Sequence, residues 1–309
     1  MAMHEDQLDL PLEVAVRLLS PLLPDLVPAD VRRVQSAATT SHVLRVGPDL
    51  AARFPIVASD PTTARAALEA EHRAMAEFAR ISPFPTPEPL AIGDPSPEFP
   101  MPFSLQTWIP GTVAGPVTVA ASDAFAEDLA ALLTALRSAR TQGRSFSGTG
   151  RGGDLATHDD WVQECLRRSR DLLPVRELGE LWSRRRDLER AGADVMSHRD
   201  LIPANLLVAG GRLTGVLDAG GSGPADPALD LVAAWHLLDA SRRTRLRARM
   251  GCSSLEWERG AAWAFAQAIG LVWYYDRSNR TMAALGRSTL SRLLEAERSD
   301  PAGTNAHTR

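Results

Sequence analysis

The chain has 309 residues, 44% of them hydrophobic and 23% charged, which suits a globular protein long enough to bury a core in two lobes. A net charge of −4 and a pI near 6.0 argue against nucleic-acid binding as its main task. The two cysteines, Cys165 and Cys252, support neither a disulfide framework nor a zinc site, so a reducing cytoplasm fits best. The first residues, MAMHEDQLDLPLE, are acidic and lead into no apolar run, unlike a secretory signal. The longest apolar stretch, Ala261 to Tyr275, is too short for a bilayer, so it reads as a buried helix and no membrane partner is expected. All 34 basic residues are arginine, so any step that elsewhere uses lysine must use arginine here.

Along the chain, apolar spacing predicts a leading helix over 12–27. From Val31 to Ile56 two β-prone runs flank small hydroxyl residues, with a turn at Gly47-Pro48-Asp49, which predicts a small antiparallel sheet. An alanine-rich helix is predicted over Pro61 to Arg80, with proline at its first position. The prolines of Ser82 to Pro102 favour loop and short strand. A strand from Phe103 to Trp108 ends at Ile109-Pro110-Gly111, the expected lobe boundary. Helices are then predicted over Ser122 to Arg140, Trp161 to Leu173 and Glu177 to Ala191, with a flexible Gly/Ser/Arg-rich loop from Gln142 to Gly153. Two short strands, Leu206 to Val208 and Leu213 to Leu217, flank the hairpin turn Ala209-Gly210-Gly211-Arg212. The remainder reads as helical. The expected organisation is α+β: a sheet-rich lobe over 1–108, a mostly helical lobe over 109–299, a cleft between them, and a disordered tail over 300–309.

The chemistry concentrates in Ser197-His198-Arg199-Asp200-Leu201-Ile202-Pro203-Ala204-Asn205-Leu206-Leu207-Val208, which contains H-R-D-x-x-x-x-N, followed beyond the hairpin by Leu217-Asp218-Ala219-Gly220. Phosphoryl transfer needs a carboxylate to orient the attacking hydroxyl and take its proton, which Asp200 supplies. It also needs hard oxygens to hold Mg²⁺ against the phosphates, which Asn205 and Asp218 supply. The bland reading is a polar turn in which the same residues cap local backbone. Asp226 reads as the N-cap of a helix over Pro227 to Leu238, Asp230 as structural, and His198 as a packed loop residue.

These motifs, continued through Asp226-Pro227-Ala228-Leu229-Asp230, resemble the aminoglycoside phosphotransferase family of small-molecule kinases. The resemblance spans Val31 to about Leu294 and is stronger in the second half. It implies a protein-kinase-like two-lobe fold with a small antiparallel-sheet N-lobe and a mostly helical C-lobe. Protein kinases fit less well: Ile202 stands where their lysine follows the catalytic aspartate, and no A-P-E closes an activation segment. The resemblance also implies ATP or GTP as phosphate donor. Arg53 would then stand in place of the phosphate-binding lysine, the backbone of Thr107 and Ile109 would meet the adenine edge, and Ser36 to Ser41, with Ser41 the chosen contact, would cover the phosphates. Arginine's planar fork suits phosphate oxygens. Glu71 falls on the apolar stripe of the helix that follows, where a carboxylate needs a cation, and Arg53 is the expected partner; a solvated place at the rim of the stripe is the alternative.

The acceptor is expected in the helical lobe, which holds six of the seven tryptophans; most of these are expected to be packing core. Asp159, Asp160, Glu164, Glu256, Glu258 and Asp276 are available for an acidic pocket, while the arginines of Ser241 to Arg249 read as a solvated helix side. The reading is transfer of a γ-phosphate to a hydroxyl of a small molecule, an aminoglycoside-type antibiotic first. A macrolide, amino sugar or other metabolite is the alternative acceptor, and a non-catalytic nucleotide-binding module the alternative class.

Overall fold

Strand-prone segments of the first third pair into a five-stranded antiparallel sheet, ordered β1-β2-β3-β5-β4. The strands are β1 (Val31–Arg33), β2 (Ser41–Val46), β3 (Leu50–Pro55), β4 (Pro89–Gly93) and β5 (Phe103–Thr107). The structure is a computed structural model that describes residues 8–34, 41–148 and 150–299. Helix α1 (Leu12–Leu19) packs its apolar residues with the core of this sheet, where Phe54 stacks on Phe103 at 4.3 Å and meets Phe99 edge-on at 5.5 Å. α1 is shorter than the helix predicted over 12–27, because Pro21 and Pro24 cannot continue the backbone ladder. Helix α2 (Pro61–Ile81) starts where Asp60 accepts hydrogen bonds from the backbone and hydroxyl of Thr63 at 2.8 and 2.7 Å, and Pro61 takes the position that needs no donor.

Residues up to Gly111, joined by Gly215–Gly221 from much later in the chain, form one compact unit; Thr112–Thr214 and the residues from Ser222 onward form the other. The second unit is built on α4 (Asp123–Ser138) and the long helix α9 (Ser254–Tyr275), with most of α9 buried. Around them lie α3 (Pro116–Val119), α5 (Asp159–Arg168), α6 (Val175–Arg185), α7 (Val232–Leu237), α8 (Ala240–Met250) and α10 (Arg280–Ser299). α5 and α6 end before the predicted Leu173 and Ala191, and Pro174 stands directly before α6. The expected helix over Pro227 to Leu238 is a 3-10 turn at Leu229–Leu231 followed by α7.

Five short strands complete the chain: β6 (Thr112–Val113), β7 (Val195–Ser197), β8 (Leu206–Ala209), β9 (Arg212–Val216) and β10 (Gly223–Ala225). β6, β8 and β9 form one sheet, and β7 pairs with β10. The β8–β9 turn uses Gly210 and Gly211 at φ of 56° and 74°, a left-handed pair that glycine adopts at little cost. Asp128 of α4, buried, anchors the hairpin by accepting two hydrogen bonds from Arg212 at 2.6 Å and one from the Leu213 backbone at 3.1 Å. That anchor holds the strand whose far end leads into Asp218. The expectation for 300–309 lies outside the described residues. No described helix is long and apolar enough to cross a membrane.

Candidate active site

In the second unit, β7 delivers the loop that carries Asp200. The loop begins with a bracing contact: the Asp230 carboxylate accepts the backbone N–H of His198 at 2.9 Å and of Arg199 at 3.2 Å. Asp230 and His198 are both buried. Burial pushes the Asp230 carboxyl above its ordinary pKa, and His198 together with the donated hydrogen bonds pulls it back. Arg199 adopts φ of 67°, a conformation a long side chain takes at a cost. Several contacts hold it there: its guanidinium donates to the Pro224 carbonyl at 2.6 Å and lies over Phe146 at 5.4 Å. Gly223 leaves room for it, since a Cβ there would stand 3.0 Å from the guanidinium. Burial lowers the pKa of Arg199, and the charges of Asp194 and Asp230 oppose the fall.

Asp200 follows this kinked residue. Its backbone carbonyl accepts Asn205 Nδ2 at 2.8 Å and the Ile202 N–H at 2.8 Å, which closes the loop into a tight turn. The Asn205 amide nitrogen is thereby fixed on Asp200, and its carbonyl oxygen is the end left for a cation. The Asp200 carboxylate is not bare: Arg151 donates to Oδ1 at 2.6 Å. Sequence reading missed Arg151, because it sits in a glycine-rich loop with no spacing that points to Asp200.

The first unit holds the other candidates. Residue alternation along β3 sends Arg53 to the face opposite Phe54, and its guanidinium donates to Asp218 Oδ1 at 2.8 Å. Asp218, two residues past the end of β9, has φ of 60° and leads into a 3-10 turn over Ala219–Gly221. That turn packs on α2, where a Cβ on Gly220 would come within 3.2 Å of the Glu71 side chain. The expected Arg53–Glu71 ion pair is therefore corrected: Arg53 pairs with Asp218, which the turn brings to the same face. Glu71 is exposed, the rim position that the sequence left open. Desolvation by neighbouring atoms still raises its carboxyl pKa, against the pull of Arg53 and with a push from Asp218.

Thr107 ends β5. Its N–H is taken by the Glu88 carbonyl at 3.0 Å, so an edge contact from Thr107 has to come from its carbonyl. The Ile109 N–H meets no acceptor among the described residues. Ser41 is the first residue of β2, while Ser36 to Thr40 lie outside the described residues. Asn205 in the second unit and Asp218 in the first each carry a hard oxygen donor, an amide and a carboxylate, of the kind magnesium takes. Among the described residues no group of three or more His, Cys, Asp or Glu gathers as a metal cage.

Two expectations for the second unit change. Asp226 is no simple N-cap: it is fully buried, accepts Arg259 Nε at 2.9 Å and Trp263 Nε1 at 2.9 Å, and also takes the Ala228 N–H at 3.0 Å. Five of the six carboxylates considered for an acidic pocket are paired with arginines. Asp159 meets Arg186 at 2.8 Å, Glu164 meets Arg167 at 2.6 Å, Glu258 meets Arg185 at 2.6 Å, Asp276 meets Arg287 at 3.0 Å, and Glu256 meets Arg137. The arginine run of α8 is not wholly solvated either. Arg243 is buried over Trp235 at 4.7 Å, and burial lowers its pKa to about 10. Trp182 and Trp263 are core, whereas Trp161 and Tyr274 are exposed.

The small antiparallel sheet and the helical unit make a protein-kinase-like fold. Solved structures of similar fold include a point mutant of aminoglycoside 2'-phosphotransferase-IIIa with GDP, at 17% identity and TM-score 0.68, covering 96% of this chain and 100% of that one. A macrolide 2'-phosphotransferase from Brachybacterium faecium matches at 18% identity and TM-score 0.61, covering 90% and 98%. A streptomycin–ATP ternary complex of APH(2")-IIa matches at 18% identity and TM-score 0.57, covering 94% and 98%. No curated protein gives a significant match. The profile of the phosphotransferase enzyme family matches residues 30–265, and the chain belongs to that family.

Proposed function

We propose that this phosphotransferase moves the γ-phosphate of ATP or GTP to a hydroxyl of a small molecule. The observation that carries the reading is the braced turn in which Asp230 holds His198 and Arg199 while Asn205 closes on the Asp200 carbonyl. A carboxylate on such a turn is oriented before substrate arrives, as general-base work requires. Asp200 takes the proton of the attacking hydroxyl. Asn205 and Asp218 offer the oxygens for Mg²⁺, which when bound supplies positive charge against the phosphates. Arg53 is assigned to the nucleotide phosphates, Glu71 to the field around Arg53, Ser41 to the phosphate end, and the Thr107 carbonyl and Ile109 N–H to the adenine edge.

Several solved structures of similar fold are aminoglycoside and macrolide phosphotransferases, so on likeness of fold alone antibiotic hydroxyls are the first acceptors to test, an aminoglycoside before others. A less cationic acceptor, such as a macrolide or another metabolite, is a second reading, favoured by Arg151 beside Asp200. Both cysteines are buried free thiols, which supports a place in the reducing cytoplasm. The test is transfer of labelled γ-phosphate from ATP and GTP across an acceptor panel, with resistance measured in a sensitive host. Magnesium–nucleotide binding without transfer to any acceptor would replace this reading with a non-catalytic nucleotide-binding module.

A further inference from the structure

Arg151 has no task in the reaction assigned above, yet its guanidinium stands 2.6 Å from the oxygen of the base. An acceptor hydroxyl that gives its proton to Asp200 must therefore arrive beside a fixed positive charge. Arg151 and Asp200 are 38% and 37% exposed at their side chains, so the pair is wet enough to exchange partners. What replaces it depends on the charge of the acceptor. An ammonium group near the reacting hydroxyl would compete with Arg151 for Asp200 and be repelled by it. A carboxylate or phosphate would do the reverse: it would take the arginine fork, for which its two oxygens are well shaped, and leave Asp200 free for the hydroxyl.

The charge balance of the second unit agrees with this. A site for a polycation needs unpaired carboxylates. In the second unit five of the six considered for that role already hold an arginine, including Asp159 with Arg186 and Glu164 with Arg167. Pairs such as Arg167–Glu164 and Arg287–Asp276 are as exposed as Arg151–Asp200, so each stays in exchange with water, and the arginines lower the local negative charge without closing it off.

We propose that Arg151 is a specificity-determining residue of this phosphotransferase, selecting a hydroxylated acceptor that bears a carboxylate or phosphate and disfavouring densely cationic ones. The inference rests on Asp200 as the base for the acceptor hydroxyl. It is tested on the full chain with Mg²⁺ and a non-transferable ATP analogue present, by calorimetric binding of three acceptor sets: sugar acids and sugar phosphates, the matching neutral sugars, and aminoglycosides. Wild type is expected to bind members of the first set at least tenfold more tightly than their neutral counterparts. Arg151→Ala should abolish that preference and tighten aminoglycoside binding, and Arg151→Lys should restore part of the preference. The two anionic groups are compared within the first set, which separates a carboxylate ligand from a phosphate one.

The proposal is overturned if no anionic acceptor binds, if aminoglycosides bind wild type most tightly, or if Arg151→Ala leaves the charge preference within twofold. It is also overturned if Arg151→Ala changes only the affinity for ATP, which would make Arg151 a nucleotide contact. Binding is read apart from turnover. Anionic ligands held through Arg151, with no transfer to any acceptor of the three sets when Mg–ATP is supplied, would sink the phosphotransfer reading and leave the charge selection standing.

Discussion

Arg53 and Asp218 lie 165 residues apart in the chain and meet at 2.8 Å, so one oxygen of the carboxylate assigned to magnesium faces a guanidinium. In a lysine-free protein this arginine is the residue proposed to meet nucleotide phosphate beside that carboxylate. Arg53→Ala is expected to raise the nucleotide KM about tenfold or more, the size of a lost charge-assisted hydrogen bond, with a smaller change in kcat. Arg53→Lys should recover part of the loss. Steady-state kinetics with ATP and GTP check this, and an unchanged nucleotide KM in the alanine variant removes Arg53 from the site.

Asp200→Asn keeps the shape of the turn and removes the proton acceptor. The expected result is a kcat lower by about 10²–10⁴-fold, with nucleotide affinity within about twofold of wild type. Single-turnover transfer and nucleotide titration separate the two quantities. A variant that keeps a tenth of the wild-type kcat would show that Asp200 is not the base.

Arg259 and Asp226 form an ion pair with almost no solvent exposure. Removing one charge strands the other in the core, so Arg259→Met is expected to cost about 3–5 kcal/mol of stability. Urea unfolding measures it. The double variant Arg259→Met with Asp226→Leu should recover part of the loss, because no buried charge is then left without a partner. If the double variant is no better than the single one, the penalty comes from packing rather than charge.

His236 is fully buried between Thr289 Oγ1 at 2.8 Å and Gln267 Oε1 at 3.1 Å. Burial drives its pKa down to about 4, Gln267 opposes the fall, and the charges of Arg292 and Arg151 add to it. The unfolded chain takes up this proton below about pH 6.5 and the folded chain only near pH 4, so stability is lost as pH falls through that window. The loss attributable to His236 approaches about 3 kcal/mol at the acid end. His236→Gln should flatten the stability profile between those limits relative to wild type. Equal slopes in the two proteins would refute the assignment.

Local chemistry in the chain was enough to single out the loop proposed for phosphotransfer. His198, Asp200, Asn205 and Asp218 carry a pattern whose spacing is set by a turn and a glycine hairpin, and both are short-range features. The sheet-rich first third and the helical remainder were readable for a similar reason, because alternation and helical periodicity are properties of neighbouring residues. Helix ends were less legible, as α1 shows by stopping at Leu19 ahead of two prolines.

Only the tertiary structure decided who pairs with whom. Arg53 was expected on Glu71 and is found on Asp218; Asp226 was expected at a helix end and is found buried against Arg259. Arg151, in a loop with no readable pattern, came to rest on Asp200. The sequence alone determined which groups are candidates for the chemistry, since intrinsic reactivity belongs to the side chain and its near neighbours. The choice of ionic partner needed the fold: with 34 arginines and 38 acidic residues in the chain, many pairings are chemically equivalent, and only packing decides which of them come within reach.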